Sequence, residues 1–328
     1  LKLQKIFLME SSFIIQKAEE RHLKQIADNI CKGAYETEKY EANPEIILKS
    51  MEQIFQDRSY GVLYVALDND KVVASLIETS EFNFIRNGMI YWIQSLYVLP
   101  EHRRKGISTK MIKHIFNKAK NEGALPVKLY VANTNTVGMK VYERLEMTPV
   151  EEVFYTMNLL ERDVPQFKAF LADFLKETAL TLEKLSKEEL KTLNFGGCKS
   201  ILNDYSNYES VKPGAEASFG AGPACELWVL KNEKKEDVGM LSAYLEVDDW
   251  NNDVMYCVSE ILVFGESDGE SLLTLAKTIL VLYFSEAIKR NPSELRVKFN
   301  RNKANLITLM EELTLSRMGY LFYEESTK

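Results

Sequence analysis

The alternation of apolar and polar positions from Phe13 onward resolves into a series of strands and helices. "FIIQKAEE" alternates with period two, as a strand does. "RHLKQIADNICKGAYE" carries its apolar residues at helical spacing, and "NPEIILKSMEQIFQD" predicts a second helix with Asn43 as N-cap and Pro44 in its first turn. "GVLYVALDN" and "KVVASLIETSEF" read as a hairpin closed by Asp-Asn-Asp. "MIYWIQSLYVLP" has few charges, which suits a central strand. Beyond it, Ile107, Met111, Ile115 and Ala119 share one helical face. "PVKLYVAN", "NTVGMKVYERLE" and "EEVFYTMNL" then read as strand, short helix and closing strand.

The same order returns in the second half. "MIYWIQSLYVLP" (89–100) aligns without gaps on "VMYCVSEILVFG" (254–265), placing Tyr91 on Tyr256 and Val98 on Val263. A hairpin pattern precedes both segments, and a helix, a strand and a further helix read through "NLITLMEELTLSRMGY" follow the second. A repeat of this length predicts two copies of one mixed α/β domain rather than a solenoid. The expected division is a first domain over 11–160, a polar helical connector over 161–178 and a second domain over 179–328.

Composition narrows the class. With 46% hydrophobic and 27% charged residues, the 328-residue chain has an ordinary globular balance. Its net charge of −7 disfavours general nucleic-acid binding. Cys31, Cys198, Cys225 and Cys257 form no CxxC pair, and His22, His102 and His114 complete no zinc pattern. Free thiols in a reducing cytoplasm, and no metal, are therefore expected. The apolar run "SLLTLAKTILVLYFSEAI" contains Lys277 and Glu286 and predicts a buried core helix rather than a membrane span. "LKLQKIFLME" is too short and too charged for a clear secretory signal.

One short stretch departs from the acidic background. "LPEHRRKGIS" gathers His102, Arg103, Arg104 and Lys105 between the central strand and a helix. A helix N-terminus exposes unpaired amides and partial positive charge, so such a turn can grip a pyrophosphate. Gly106 admits close backbone approach, and Ser108 keeps the helix start small. In the second copy this turn is Asp268-Gly269-Glu270-Ser271, with the cations replaced by acids.

These segments resemble the GNAT superfamily of acetyl-CoA-dependent N-acyltransferases. Val98, Arg103, Gly106 and Ser108 match the family's acyl-CoA motif, and Asn135, Gly138 and Tyr142 match a second motif. Glu146-Met147 stands where Gly-Phe is usual. The resemblance covers Phe13–Leu160 strongly and the second half in architecture alone, where Leu315 takes the tyrosine position and Asn302 and Gly319-Tyr320 fit shared ancestry. It implies two tandem GNAT-like domains with α+β mixed sheets, the second degenerate. It also implies acetyl-CoA as cosubstrate, with Leu96, Tyr97 and Val98 along the thioester and pantetheine arm. Arg103, Arg104, Lys105, Gly106, Ile107 and Ser108 would lie at the pyrophosphate, and Asn135 at the arm. Tyr142 is the implied proton donor to the leaving thiolate.

For the base, Glu78 or a water held by Gln94 or Ser95 is available, because Trp92 sits where some relatives carry glutamate. Tyr91, Trp92, Phe82 and Phe84 could wall an acceptor pocket, and the acidic "EVDDWNND" of the second half could attract a cation. The expected activity is transfer of an acetyl group to a primary amine of a small molecule or protein, at one site in the N-terminal half. No nucleic-acid or membrane partner is expected, and the chain would be a monomer with an internal pseudo-dimer, or a homodimer. The competing expectation is a catalytically weak or inactive GNAT-fold component of a larger assembly.

Overall fold

The computed structural model describes residues 13–160, 164–176, 178–195, 198–203, 211–265 and 269–325. The segment before Met9 and residues 266–268 of the acidic turn lie outside the described residues.

The N-terminal half runs β1 (Ile14–Lys17), α1 (Leu23–Glu38), α2 (Pro44–Gln56), β2 (Val62–Asp68), β3 (Lys71–Asn83), β4 (Gly88–Val98), α3 (Ile107–Glu122), β5 (Lys128–Ala132), α4 (Thr136–Arg144), β6 (Thr148–Val150) and β7 (Glu152–Asn158). Local chemistry sets these boundaries. The Asn43 side chain accepts from the Glu45 amide at 2.9 Å, with Pro44 opening α2 behind it. Asn69 and Asp70 both take positive φ, the geometry of a tight hairpin turn. Ile107, Met111, Ile115 and Ala119 are all buried, as their spacing predicts.

The C-terminal half runs α5 (Val164–Leu175), β8 (Thr181–Lys184), α6 (Lys187–Thr192), β9 (Lys199–Ser200), α7 (Val211–Ser218), β10 (Glu226–Lys231), β11 (Asp237–Asp248), β12 (Asp253–Val263), α8 (Gly269–Ile288), β13 (Glu294–Asn300), α9 (Ala304–Glu312), β14 (Ser316–Arg317) and β15 (Tyr320–Glu324). The helix expected through 305–320 stops early. Thr314 takes φ 63, and the Leu315 amide turns back to the Met310 carbonyl at 2.8 Å. The last residues are then free to form strands. By length and composition α8 could cross a membrane, but half of it is buried, with Ala276, Ile279, Leu280, Tyr283 and Phe284 in the core.

The chain builds two mixed sheets, in strand orders β1-β2-β3-β4-β5-β15-β6 and β14-β7-β13-β12-β11-β10-β8. The halves exchange strands. β7, expected to close the first domain, pairs with β13 over Glu152–Asn158, and β15 pairs with β5 over Tyr320–Glu324. A cut near residue 160 therefore divides the chain but not the sheets.

The exchange brings the two halves into one core. Ile90, Trp92, Phe154, Tyr244, Cys257 and Phe322 cluster between them. Beside this cluster the Lys298 ammonium of β13 pairs with Glu81 of β3, which also accepts from the Trp92 indole at 3.0 Å. Glu81 is 1% exposed and Lys298 3%, so neither charge has water as an alternative partner. Removing one member of such a pair strands the other, at about 3–5 kcal/mol. We expect Lys298→Ala to lose about that much in urea unfolding, and Lys298→Met with Glu81→Gln to recover most of it. Equal losses in the single and double variants would show that the pair does not couple the halves.

Candidate active site

β4 does not run straight. Its register with β3 passes from Ser75↔Tyr97 to Ile77↔Gln94, so Ser95 and Leu96 have no partner in β3, and Ser95 takes φ 47. This is a bulge, which bends a strand and frees backbone groups. On its other edge β4 pairs with β5 only at Trp92↔Lys128 and Ile93↔Leu129. Past that point the two parallel strands diverge.

A cavity of about 610 Å³ opens at this divergence. Its walls include Gln94 to Tyr97 of β4, Tyr130 to Ala132 of β5, and Asn135 and Tyr142. The opposite wall comes from the end of α1 and from the C-terminal half, through Asp248 to Asn251, Glu294, Arg296 and Tyr320. Five lining carboxylates (Glu36, Glu38, Asp248, Asp249 and Glu294) face a single lining guanidinium, Arg296. Arg296 is itself bound to Glu294 at 2.8 Å. Size and mixed lining are those of a small-molecule site.

The structure brings four of the sequence-predicted residues to this groove, whereas Val98 and the turn from Arg103 to Ser108 lie outside its lining. Leu96, Tyr97, Asn135 and Tyr142 line it. Tyr142 packs against Tyr323 at 5.6 Å, and burial pushes its hydroxyl up to about 12, so it holds its proton at neutral pH. The Asn135 side chain caps α4, accepting from the Gly138 amide at 2.9 Å. A Cβ at Gly138 would lie 3.1 Å from the Asn135 amide nitrogen, which explains the Asn-x-x-Gly spacing. Glu146, where glycine is usual, carries the helix-ending positive φ of 57, and Met147 is buried beneath it. The departure changes the residue at the helix end but not its geometry.

The basic turn leads into α3 as expected. Arg103, Arg104, Lys105 and Gly106 are exposed, whereas the Ile107 side chain is buried and leaves only its amide to the turn. Gly106 takes φ 78 with nothing near its would-be Cβ, so the space above the backbone is open. No side chain caps α3, which leaves the first amides, including that of Ser108, for a ligand. Arg103 is partly engaged. It donates to the Val98 carbonyl at 2.9 Å and to Glu36 at 2.7 Å, while the Tyr97 hydroxyl donates to the other Glu36 oxygen at 2.7 Å. Burial pushes Glu36 up, but these two hydrogen bonds outweigh it and hold the carboxyl below its ordinary range. The open strand gap, uncapped helix and exposed cations together fit a pantetheine arm ending in a pyrophosphate.

Two expectations fail. Glu78 is not at the groove. It is 2% exposed and bound to Lys118 of α3 at 2.7 Å, and burial raises its carboxyl although that lysine opposes the rise. Its position on β3 aims it at the α3 layer. The expected aromatic wall of Tyr91, Trp92, Phe82 and Phe84 is also absent from the groove lining, where Tyr40, Tyr97, Tyr130, Trp250 and Tyr320 stand instead. Asp249 was legible only as part of an acidic stretch in the other copy. The packing of the two halves that brings that copy to the groove leaves no local sequence signal.

The second copy repeats the geometry and closes it. β12 has its own register shift at Ser242/Ala243, but it stays paired with β13 over four residues. The gap beyond is filled by the chain itself. β9 pairs with Leu262 and Val263, the Ile201 amide donates to the Ile261 carbonyl at 2.9 Å, and the Leu202 carbonyl accepts from Asn300 at 3.0 Å. Residues 261–263 are the counterparts of 96–98, so segment 199–202 takes the place of the arm.

The α9 hydrogen bonds also correct the alignment of the copies. Leu315 N–H to Met310 O matches Met147 N–H to Tyr142 O, so Met310, not Leu315, stands for Tyr142. Lys303, not Asn302, is the N-cap that stands for Asn135, and Gly319-Tyr320 falls on Glu151-Glu152.

A strand splayed from its parallel neighbour over an uncapped helix is the arrangement of an acyl-CoA N-acyltransferase fold, and the second copy repeats its strand order with the gap closed. The Acetyltransferase (GNAT) family matches residues 25–147. An aminoglycoside N(6')-acetyltransferase type 1 from Acinetobacter genomosp. 13 is 23% identical over 114 residues, 34% of this chain and 78% of the relative. A tandem GNAT protein from the clavulanic acid biosynthesis pathway shares the fold across 97% of this chain and 99% of its own, at 13% identity and TM-score 0.54. N-myristoyltransferase from Saccharomyces cerevisiae, solved with bound myristoyl-CoA, does so across 97% and 83% at 13% identity and TM-score 0.53. Residues 25–147 thus match the GNAT acetyltransferase family, and the whole chain has the fold of proteins built from two GNAT-like domains in tandem.

Proposed function

We propose that the protein is an acetyl-CoA-dependent N-acetyltransferase with one working site, in the groove between β4 and β5, acting on a primary amine. The observation that carries this reading is the contrast between the two copies. Where β4 and β5 diverge, the gap is open and bordered by Leu96 and Tyr142, whereas the corresponding gap at β12 is filled by segment 199–202.

Leu96 and Val98 would hold the thioester end and the arm, and Tyr97 packs beside them. The amides and cations from Arg103 to Ser108 would hold the pyrophosphate. Acetyl-CoA supplies an acetyl group already activated as a thioester. The bulge at Ser95-Leu96 leaves backbone groups without partners in β3, and a free N–H there would meet developing oxyanion charge, while Tyr142 would supply a proton to the departing sulfur. The excess of carboxylates on the lining favours a cationic acceptor, since amines of ordinary pKa near 10.4 arrive protonated. The two halves work as an internal pseudo-dimer within one chain. Cys31, Cys198, Cys225 and Cys257 are free thiols, which suits a reducing compartment such as the cytoplasm.

A screen of spermidine, kanamycin and a lysine-containing peptide, read by thiol release from acetyl-CoA, tests the reading. Turnover of at least one amine is expected. Tight acetyl-CoA binding with no turnover of any would favour a non-catalytic role.

A further inference from the structure

This inference rests on the transferase reading above and concerns the group that takes the acceptor's proton. No carboxylate of the N-terminal half is placed to do so. Glu78 is bound to Lys118 away from the groove, Glu36 is committed to Tyr97 and Arg103, and Glu38 accepts from the Tyr320 hydroxyl at 2.8 Å. The turn after β11 supplies a different one. Asp249 lines the groove and accepts from the Ser95 hydroxyl at 2.6 Å. Ser95 immediately precedes Leu96, so the carboxylate stands beside the bulge that would face the thioester.

The turn is built to hold it there. Asp248 is spent on the turn itself, accepting from the Trp250 and Asn251 amides at 3.1 and 3.2 Å and from the Asn251 side chain at 2.7 Å. Trp250 stacks on Tyr40, just past α1, with ring centroids 5.1 Å apart. These contacts pin the turn to the N-terminal half from two sides.

We propose that Asp249, contributed by the C-terminal copy, is the general base of the N-terminal site, so that the degenerate domain completes the active site it no longer has itself. An acceptor arriving as an ammonium first gives one proton to solvent through Asp249. The neutral nitrogen then forms its bond to the acetyl carbon and passes a second proton to Asp249, the carbon–sulfur bond breaks, and Tyr142 protonates the sulfur. Asp249 returns a proton to the Tyr142 phenolate through water. Ammonium and acetyl-CoA thus give amide, CoA thiol and one proton, with no oxidant or reductant.

The electrostatics agree. Burial pushes the Asp249 carboxyl up to about 7, the Ser95 hydrogen bond opposes the rise, and the charge of Asp248 adds to it. Glu246 of β11 raises it further, and the Tyr130 hydroxyl of β5 lies within its field. A base near neutrality is matched to its task. Because catalysis needs the ionised form, activity should fall as pH drops through about 7.

The test compares Asp249→Asn, Asp249→Glu and Ser95→Ala with wild type on whichever panel amine is turned over. Asp249→Asn should lower kcat on the order of 100-fold or more, lose the acid limb of the pH profile, and bind acetyl-CoA as wild type does. Asp249→Glu should restore part of the rate. Ser95→Ala, by removing the opposing hydrogen bond, should move the acid limb to higher pH. Fold is controlled by the sign of the shift. A carboxyl raised from its ordinary value favours the native state less as pH rises through its folded pKa, so Asp249→Asn should be no less stable than wild type at pH 8. Turnover by Asp249→Asn within threefold of wild type, with the acid limb retained, overturns the base assignment and leaves the transferase reading standing. Absence of wild-type turnover overturns both.

Discussion

Replacing Arg103 and Gly106 together by Glu is expected to weaken acetyl-CoA binding by at least 100-fold in a calorimetric titration while the protein stays folded. Gly106 takes φ 78 at the entrance to an uncapped helix, with open space where a side chain would project. A glutamate there would place a carboxylate where the pyrophosphate must lie. Arg103 joins the end of β4 to Glu36, so its reversal loses one cation and sets a like charge against Glu36. Charge-assisted hydrogen bonds contribute about 1.5–3 kcal/mol each. Losing two weakens binding by about 3–6 kcal/mol, or about two to four powers of ten. The folding cost is smaller, about 1–2 kcal/mol for one residue forced left-handed. Unchanged affinity would show that the turn is only a solvated loop.

Changing Tyr142 to Phe is expected to reduce kcat by about 100-fold or more, with acetyl-CoA affinity unchanged within a few fold. The ring stays, so the packing on Tyr323 survives and only the hydroxyl is lost. Burial pushes that hydroxyl up to about 12, so the tyrosine remains protonated through the neutral range and does not itself limit the rate at mildly alkaline pH. A fall in affinity that matches the fall in rate would make Tyr142 a packing residue. The second copy carries the comparison in its own sequence, since Met310 stands at the equivalent helical position and offers no proton.

Local elements were legible because their signals are local. Asn43-Pro44, the Asp68–Asp70 turn and the face of α3 each lie within a few residues of the feature they determine. The pairing of β7 with β13 and of β15 with β5 was not legible. "EEVFYTMNL" alternates in the same way whichever sheet receives it, and strand partners far apart in sequence leave no periodicity. Reading 305–320 as one helix failed for a related reason. Leu306, Leu309 and Met310 carry helical spacing, but the left-handed turn at Thr314 has no glycine to announce it. At Glu146 the same geometry again sits on a non-glycine residue.

The site divided along the same line. Leu96, Tyr97, Asn135, Tyr142 and the basic turn follow from motifs confined to one half; the structure sets the first four on the groove and ties the turn to it through the Arg103–Glu36 bond. Glu78 was credible from its position on a strand beside the centre, but the side of the sheet it faces is set by the bulge and register of β3 and β4. Asp249 lies 154 residues from Ser95, and the packing of the two halves brings them within 2.6 Å. The acidic character of "EVDDWNND" was visible, but its destination was not.

The emptied copy also gains a physical reason. Its basic turn has become acidic, its tyrosine has become Met310, and its own segment 199–202 supplies the backbone partners that an arm would otherwise take. Each change alone would weaken binding, and the filled gap removes the place for it. The most direct measurement is therefore the stoichiometry of acetyl-CoA binding to the intact chain by calorimetry. One molecule per chain, lost in the Arg103→Glu, Gly106→Glu variant, is the expected result. Two molecules per chain, or one that survives that double change, would contradict a single working site between β4 and β5.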